Sequence, residues 1–474
     1  MKRAPALLAA GALALGTLAL GACHSAAKTA PPVPTGSTQQ PAPSTTTADP
    51  QQQALPDWPT FGGSSQRTGA AATPPGAPAQ ATGLSPAWST SPLDGAVYAQ
   101  PLLVGNLAIA ATEGDSVYAF DRGSGVQVWR TQLGRPVDGG TLPCGNIDPT
   151  GITATPVADP AGHTVYALPF LANGPHHELV ALDLATGTVR WQRPLDPPGL
   201  PPRAEQARAA LTLANHRVYA AFGGLAGDCA AYKGAVVSVD AAGDGPVSAY
   251  VVPTSRQGGI WAPPGPMATA AGDLFVATGN TAASGGAFDG GNAVVRLGAD
   301  LRQADVWGPA DWAQLNQTDT DLGGVSPVPV GGRLFVAGKS GLGYLLDPAR
   351  LGGVGARVPT ARLCGQAIGG AASSNQSVLV ACSDGMVGVS IVPGGDSLRA
   401  SWHARATQPG PPTIAAGAGW WVDHSGTLHG TAVGDGRQVA SVHVGDVTRF
   451  TSIAADGVRL YLAAGGRLLA FTIR

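Results

Sequence analysis

A pattern that recurs along the chain constrains its fold more than any other feature. Val117–Trp129 reads VYAFDRGSGVQVW, and Leu179–Trp191 reads LVALDLATGTVRW. Each is a short alternating strand, an Asp, a turn containing Gly, and a second strand that carries a Trp. In such turns Asp bonds local backbone and Gly accepts the positive φ of the reversal. Alternation puts every second side chain against a neighbouring layer. Weaker copies begin at Ala235, Ala293, Gly343, Met386, Thr427 and Arg467, and the tryptophan fades after the second copy. Each copy follows a further apolar strand, at Leu107, Thr164, Arg217, Asp273, Arg333, Ser377, Gly419 and Arg459. Eight units, each of about four short strands, are the mark of a β-propeller. The fold expected is all-β, with eight blades. The last blade lacks an outer strand unless the segment around Leu84–Leu93 supplies it, with Trp88 in the place of Trp129 and Trp191. That closure would remove the open sheet edges.

The first residues read as processing signal. Lys2 and Arg3 precede an uncharged Ala/Leu-rich stretch from Ala4 to Leu20, which is short of the about 20 apolar residues that span a bilayer. It ends in Leu20-Gly21-Ala22-Cys23. This resembles a bacterial lipobox and makes Cys23 the expected lipidation site. The expected organisation is a lipoprotein signal over residues 1–23, a Pro/Thr/Ser-rich disordered linker over 24–56, and the propeller over 57–474. A lipid-anchored, extracytoplasmic protein follows, monomeric, with the membrane and a cell-envelope protein as expected partners. The formal net charge of −2 and 12% charged residues give no electrostatic footprint for nucleic acid.

Cys23 aside, four cysteines remain, and an even number in an exported chain suggests disulfides. Of three pairings, Cys364–Cys382 lies within one apparent blade, and Cys144–Cys229 would join successive loops. No CxxC or CxxCH spacing points to zinc or covalent haem.

The turn AxDxxTGxxxW, clearest at Ala181–Trp191, resembles the tryptophan-docking repeat of quinoprotein dehydrogenases, which the barrel-assembly scaffold lipoproteins of outer membranes also carry. Further segments resemble the cofactor-binding stretches of quinoprotein alcohol dehydrogenases. Gly258-Gly259-Ile260-Trp261 and the following Thr278-Gly279-Asn280 are similar to that family's Trp loop and TGN strand. The resemblance would make Trp261 the platform under a pyrroloquinoline quinone and Asn280 a Ca²⁺ ligand. Asp319-Thr320-Asp321 stands where the catalytic aspartate is expected, and either Asp319 or Asp321 fits. Lys339 matches a residue that contacts a quinone carbonyl. Asp228, offset by one position, matches a metal-binding Glu. Indole faces suit planar rings, Ca²⁺ takes hard oxygens, and an aspartate suits proton abstraction.

The pattern has gaps. A single Cys144 stands where two adjacent cysteines are expected, and the arginine expected soon after is missing. Each residue type also has a structural use in turns or between blades. Two functions therefore compete: a non-catalytic envelope scaffold that presents its loops to a partner, and a quinone- and Ca²⁺-dependent oxidoreductase. The second requires the named residues to converge on one end of the central channel. The first requires an exposed apolar or aromatic loop patch.

Overall fold

The computed structural model describes residues 55–394 and 397–474. The lipobox with Cys23 and most of the expected linker lie outside these residues. The strands fall into eight sheets of four or five strands, antiparallel throughout except that Gly353–Val354 adds parallel to Gln303–Gly308 at the edge of the fourth. Blade 1 runs Leu102–Val104, Leu107–Ala111, Ser116–Asp121 and Gln127–Gln132. The second strands of the remaining blades begin at Thr164, Arg217, Leu274, Arg333, Ser377, Ala418 and Arg459. The eighth sheet closes as expected. Leu84–Ser89 pairs antiparallel with Arg467–Ile473, so the first described strand completes the last blade.

Tryptophans join blade to blade. Nε1 of Trp88 donates to Arg122 O at 3.1 Å, and Nε1 of Trp129 to Leu184 O at 3.1 Å. Each indole lies over the turn glycine of the next blade: a Cβ on Gly125 would meet Trp88 at 2.6 Å, and one on Gly187 would meet Trp129 at 2.4 Å. Only glycine fits there, both for space and for φ near +70°. Trp191 covers Gly243 in the same way. The docking does not end at the second copy. Trp307 donates to Ala356 O at 3.0 Å, and Trp402 donates to Val433 O at 2.9 Å while covering Gly436. The later tryptophans escaped notice because the turns they dock into have lost the Asp-x-x-Thr-Gly spelling, while the outer strand keeps its ring.

Strand alternation sends the loops to two faces. Connections from second to third strands, and those from one blade to the next, open on one face; the other hairpin turns open on the opposite face. Across that second face runs a strap, residues 57–82, which the sequence had not distinguished from the blades. It exchanges backbone hydrogen bonds with the inner strands of blades 1, 2, 4, 6 and 7 (Trp58 with Leu103, Pro59 with Ala158, Ser65 with Ala268, Thr68 with Ser373, Ala71 with Ile414). Arg67, fully buried, fastens it. Its guanidinium donates to Thr60 Oγ1, Phe61 O, Pro266 O, Leu211 O and Thr212 Oγ1. The far end of the axial channel is thereby covered, leaving the first face for a site.

Candidate functional site

A cavity of about 560 Å³ opens on the loop face near the axis. Asp228, Trp261, Asn280, Asp319, Asp321 and Lys339 all line it. They come from five loops: Asp228 from blade 3, Trp261 from the blade 3–4 connection, Asn280 from blade 4, the two aspartates from the blade 4–5 connection, and Lys339 from blade 5. A propeller brings such loops together because each blade contributes its loops to the same ring around the axis.

Asp321 is the hub. Its Oδ1 accepts from the Asn280 backbone N–H at 2.7 Å, and its Oδ2 lies 2.5 Å from Lys339 Nζ. A side chain at Gly279 would come within 2.6 Å of Asp321 Oδ1 and 3.2 Å of Trp261 Nε1, so this glycine is what lets the loop approach both. Asp321 is buried, whereas the side chain of Asp319 is 78% exposed. Asp319 still accepts from Asn280 Nδ2 at 2.9 Å and from Lys339 Nζ at 3.1 Å. Of the two aspartates that the sequence left open, Asp321 is the one fixed in the cavity wall. Burial alone would lower the Lys339 pKa; the contacts with Asp321 and Asp319 outweigh it and hold the ammonium above its ordinary value.

Behind this row stand residues without a motif. Asn292 Nδ2 donates to Asn280 Oδ1 at 2.9 Å and to Asn316 Oδ1 at 2.8 Å, while its own Oδ1 accepts from Leu322 N. Asn316 sits in the six-residue helix Trp312–Gln317. Tyr232 donates its hydroxyl to Asp228 Oδ1 at 2.6 Å, and burial followed by the Asp228 carboxylate pushes the phenol far up. Cys144 bonds Cys229, and Cys364 bonds Cys382, the two pairings favoured from spacing. The first ties Asn146 and Asp228, both in the cavity lining, to one rim. Arg208, Arg449 and Phe450 complete the wall. They lie in the blade 2–3 and blade 7–8 connections, where no spacing marks them.

The cavity suits a planar ligand. Trp261 offers a ring face, and Lys339 and Asn280 offer donors near it. The metal expected from the resemblance finds a less complete setting. Among the described residues no group of three or more His, Cys, Asp or Glu side chains is placed to hold an ion. The Lys339 ammonium already contacts both Asp319 and Asp321, the Asn280 side-chain carbonyl accepts from Asn292, and Asp228 is engaged by Tyr232. As arranged, these side chains do not fit a bound metal ion.

Residues 79–280 match the family model described as outer membrane protein assembly factor BamB. No curated protein matches the sequence. Among solved structures, the quinohemoprotein alcohol dehydrogenase of Comamonas testosteroni superimposes with TM-score 0.69 at 15% identity, over 88% of this chain and 80% of that one. BamB from Moraxella catarrhalis gives 0.57 at 16% identity, over 82% and 98%. A europium-containing methanol dehydrogenase gives 0.65 at 12% identity, over 88% and 98%. At these identities the likeness concerns fold. With its eight sheets and docked tryptophans the chain is an eight-bladed β-propeller, similar in fold to these dehydrogenases and to BamB, and its stretch from the closing strand into the fourth blade matches the BamB family model.

Proposed function

We propose that the loop-face cavity binds a planar quinone of the pyrroloquinoline-quinone type and that the protein acts as an extracytoplasmic, lipid-anchored quinone-binding oxidoreductase. One observation carries this reading: six residues from separate stretches of sequence line a single cavity, and four of them, Asn280, Asp319, Asp321 and Lys339, are joined by hydrogen bonds and ion pairs. The scaffold reading required an exposed apolar or aromatic loop patch. Among the described residues the large apolar side chains left exposed are six valines, and four of them (Val126, Val128, Val189, Val247) sit at outer strands or turns away from the cavity loops.

When bound, the quinone supplies the hydride acceptor. Trp261 supports the ring from one side. Asp321 takes the proton of a bound alcohol hydroxyl, and Lys339, in contact with that carboxylate, donates to a ligand oxygen. Asn280, held by Asn292 and Asp319, fixes the loop on which Asp321 rests. The strap leaves ligand to enter from the loop face.

The match to a BamB family model favours a second reading, a non-catalytic envelope scaffold that keeps the cavity without using it. Titration of the full chain with pyrroloquinoline quinone, following tryptophan fluorescence, separates the two. Saturable quenching that disappears in Trp261→Ala and weakens in Asp321→Asn supports the first. Absence of quenching at millimolar quinone overturns it and turns the search to an envelope protein partner. Lipid attachment at Cys23 is tested separately by incorporation of labelled palmitate, which Cys23→Ala should abolish.

A further inference from the structure

The cavity is electrically divided. Asp228, Asp319 and Asp321 line its upper part, with Lys339 as their one cation. Arg208, Arg449 and Phe450 line the same cavity and also a small void beneath it, whose floor is Phe61 of the strap. The carboxylates do not reach this lower void, so the arginines mark the deep, axial end.

Neither arginine has an acidic partner within salt-bridge distance among the described residues, whereas Arg67, which is fully buried, has its donors placed on carbonyls and hydroxyls. Arg208 makes one long hydrogen bond, Nη2 to Gln206 Oε1 at 3.3 Å. Arg449 reaches Gln408 Oε1 and lies over the Phe450 ring, 4.7 Å from its centre. The acid whose field reaches Arg208, Glu113, is itself buried, with its pKa pushed up to about 7 by desolvation and its Oε2 already accepting from Gly151 N. Burial lowers the Arg208 pKa; Tyr98 and Glu113 offset this in part, and Arg449 adds like-charge repulsion. Two half-buried guanidiniums line the same cavity, each with donors to spare and no acidic partner, and so present a cationic surface to an anion entering it. Their flat forks match a carboxylate.

We infer that Arg208 and Arg449 form a carboxylate-binding subsite at the axial end of the cavity, for a small organic di- or tricarboxylate whose other end faces the Asp321–Lys339 pair. The subsite shares its cavity with the quinone reading and does not depend on it.

The test uses three probes on the full chain, by calorimetry or fluorescence: pyrroloquinoline quinone, which bears three carboxylates; its trimethyl ester, which bears none; and citrate, a tricarboxylate without a ring. The subsite predicts that citrate binds, that the ester binds at least tenfold more weakly than the acid, and that R208Q/R449Q removes both the citrate binding and the preference for the acid. R208K/R449K, which keeps charge and size, should restore part of it and shows that lost binding is not lost folding; thermal melts of all variants check the fold. If acid and ester bind equally and the glutamine variant behaves as wild type, the subsite is overturned while the quinone reading stands. If citrate binds and is lost in the variant but the quinone acid does no better than citrate, the subsite stands and the quinone reading falls. If no carboxylate probe binds, both are overturned.

Discussion

Lys339 Nζ lies 2.5 Å from Asp321 Oδ2, in a cavity wall where Asp321 also accepts from the Asn280 N–H. One ammonium and one backbone N–H thus fix the Asp321 carboxylate in the wall. Replacing Lys339 with methionine leaves a buried carboxylate with a single backbone donor. Lys339→Met should weaken quinone binding by about tenfold or more, the value of one charge-assisted hydrogen bond. It should also lower stability by roughly 1–3 kcal/mol, since a carboxylate is left buried without its cation. Calorimetric titration and urea unfolding read the two effects. Because Lys339 already supplies the counter-charge, quinone affinity should change less than about threefold on adding EDTA. A larger loss would show that a metal completes the site.

The docked tryptophans predict a stability pair. Trp129 is buried over Gly187, with Nε1 bonded to Leu184 O. Trp129→Ala should cost about 3–5 kcal/mol, as expected for a buried aromatic. Gly187→Val should be severe as well, because the residue has φ near +71° and its Cβ would strike the indole at 2.4 Å. In the double variant the two costs should fall short of their sum, since the clash vanishes with the ring. Denaturant midpoints of the three variants check this.

The strap gives a different kind of prediction. Arg67 holds residues 57–82 to the blades through three hydrogen bonds from one buried guanidinium, to Pro266 O, Leu211 O and Thr212 Oγ1, and ties the strap to itself through two more. Arg67→Met should release the strap before it unfolds the blades, because the backbone ladders of the blades and of their closing strand Leu84–Ser89 do not run through this side chain. Limited proteolysis should then cut between residues 60 and 80 while the remaining body stays resistant. Uniform digestion would show instead that the strap and propeller unfold as one unit.

Buried carboxylates set a pH dependence. Burial raises Glu113 from 4.5 to about 7 against the lowering pull of Gly151, Thr153 and Arg208, and burial, helped by the charges of Glu113 and Asp94, raises Asp115 from 3.8 to about 8. Both bind protons more tightly in the folded state than in the unfolded one. The folded state therefore holds the extra protons between pH about 4 and 8, and stability falls as pH rises through that window. The contribution is complete below the unfolded values and is lost by the time the folded groups ionise. The midpoint for urea unfolding should be higher at pH 5 than at pH 8. Glu113→Gln with Asp115→Asn should flatten the difference; Asn also tolerates the left-handed backbone at position 115 (φ 57°).

How much of this was legible in the sequence follows from which interactions are local. Val117–Trp129 and Leu179–Trp191 display their hairpins in alternation and turn residues, which act within a dozen residues, so the blade count and the closing strand with Trp88 could be read directly. Trp261, Asn280, Asp321 and Lys339 could be singled out because each sits in a short stretch with its own spelling. Trp307 and Trp402 could not be recognised as docking residues, because the turns that receive them had drifted. The strap around Trp58, Phe61 and Arg67 carries no period, and its partners lie as far as Ile414.

The sequence by itself determined the repeat, the all-β class, the disulfide candidates and the residues with cofactor-like spelling, since these rest on period, turn chemistry and short motifs. Only the tertiary structure decided that those residues meet, that Asp321 rather than Asp319 is fixed in the wall, and that Arg208 and Arg449 stand together at the axis. Closing a ring of eight sheets brings loops some 240 residues apart onto one opening, and no local pattern records which side chains will then share a cavity or be left without a counter-charge.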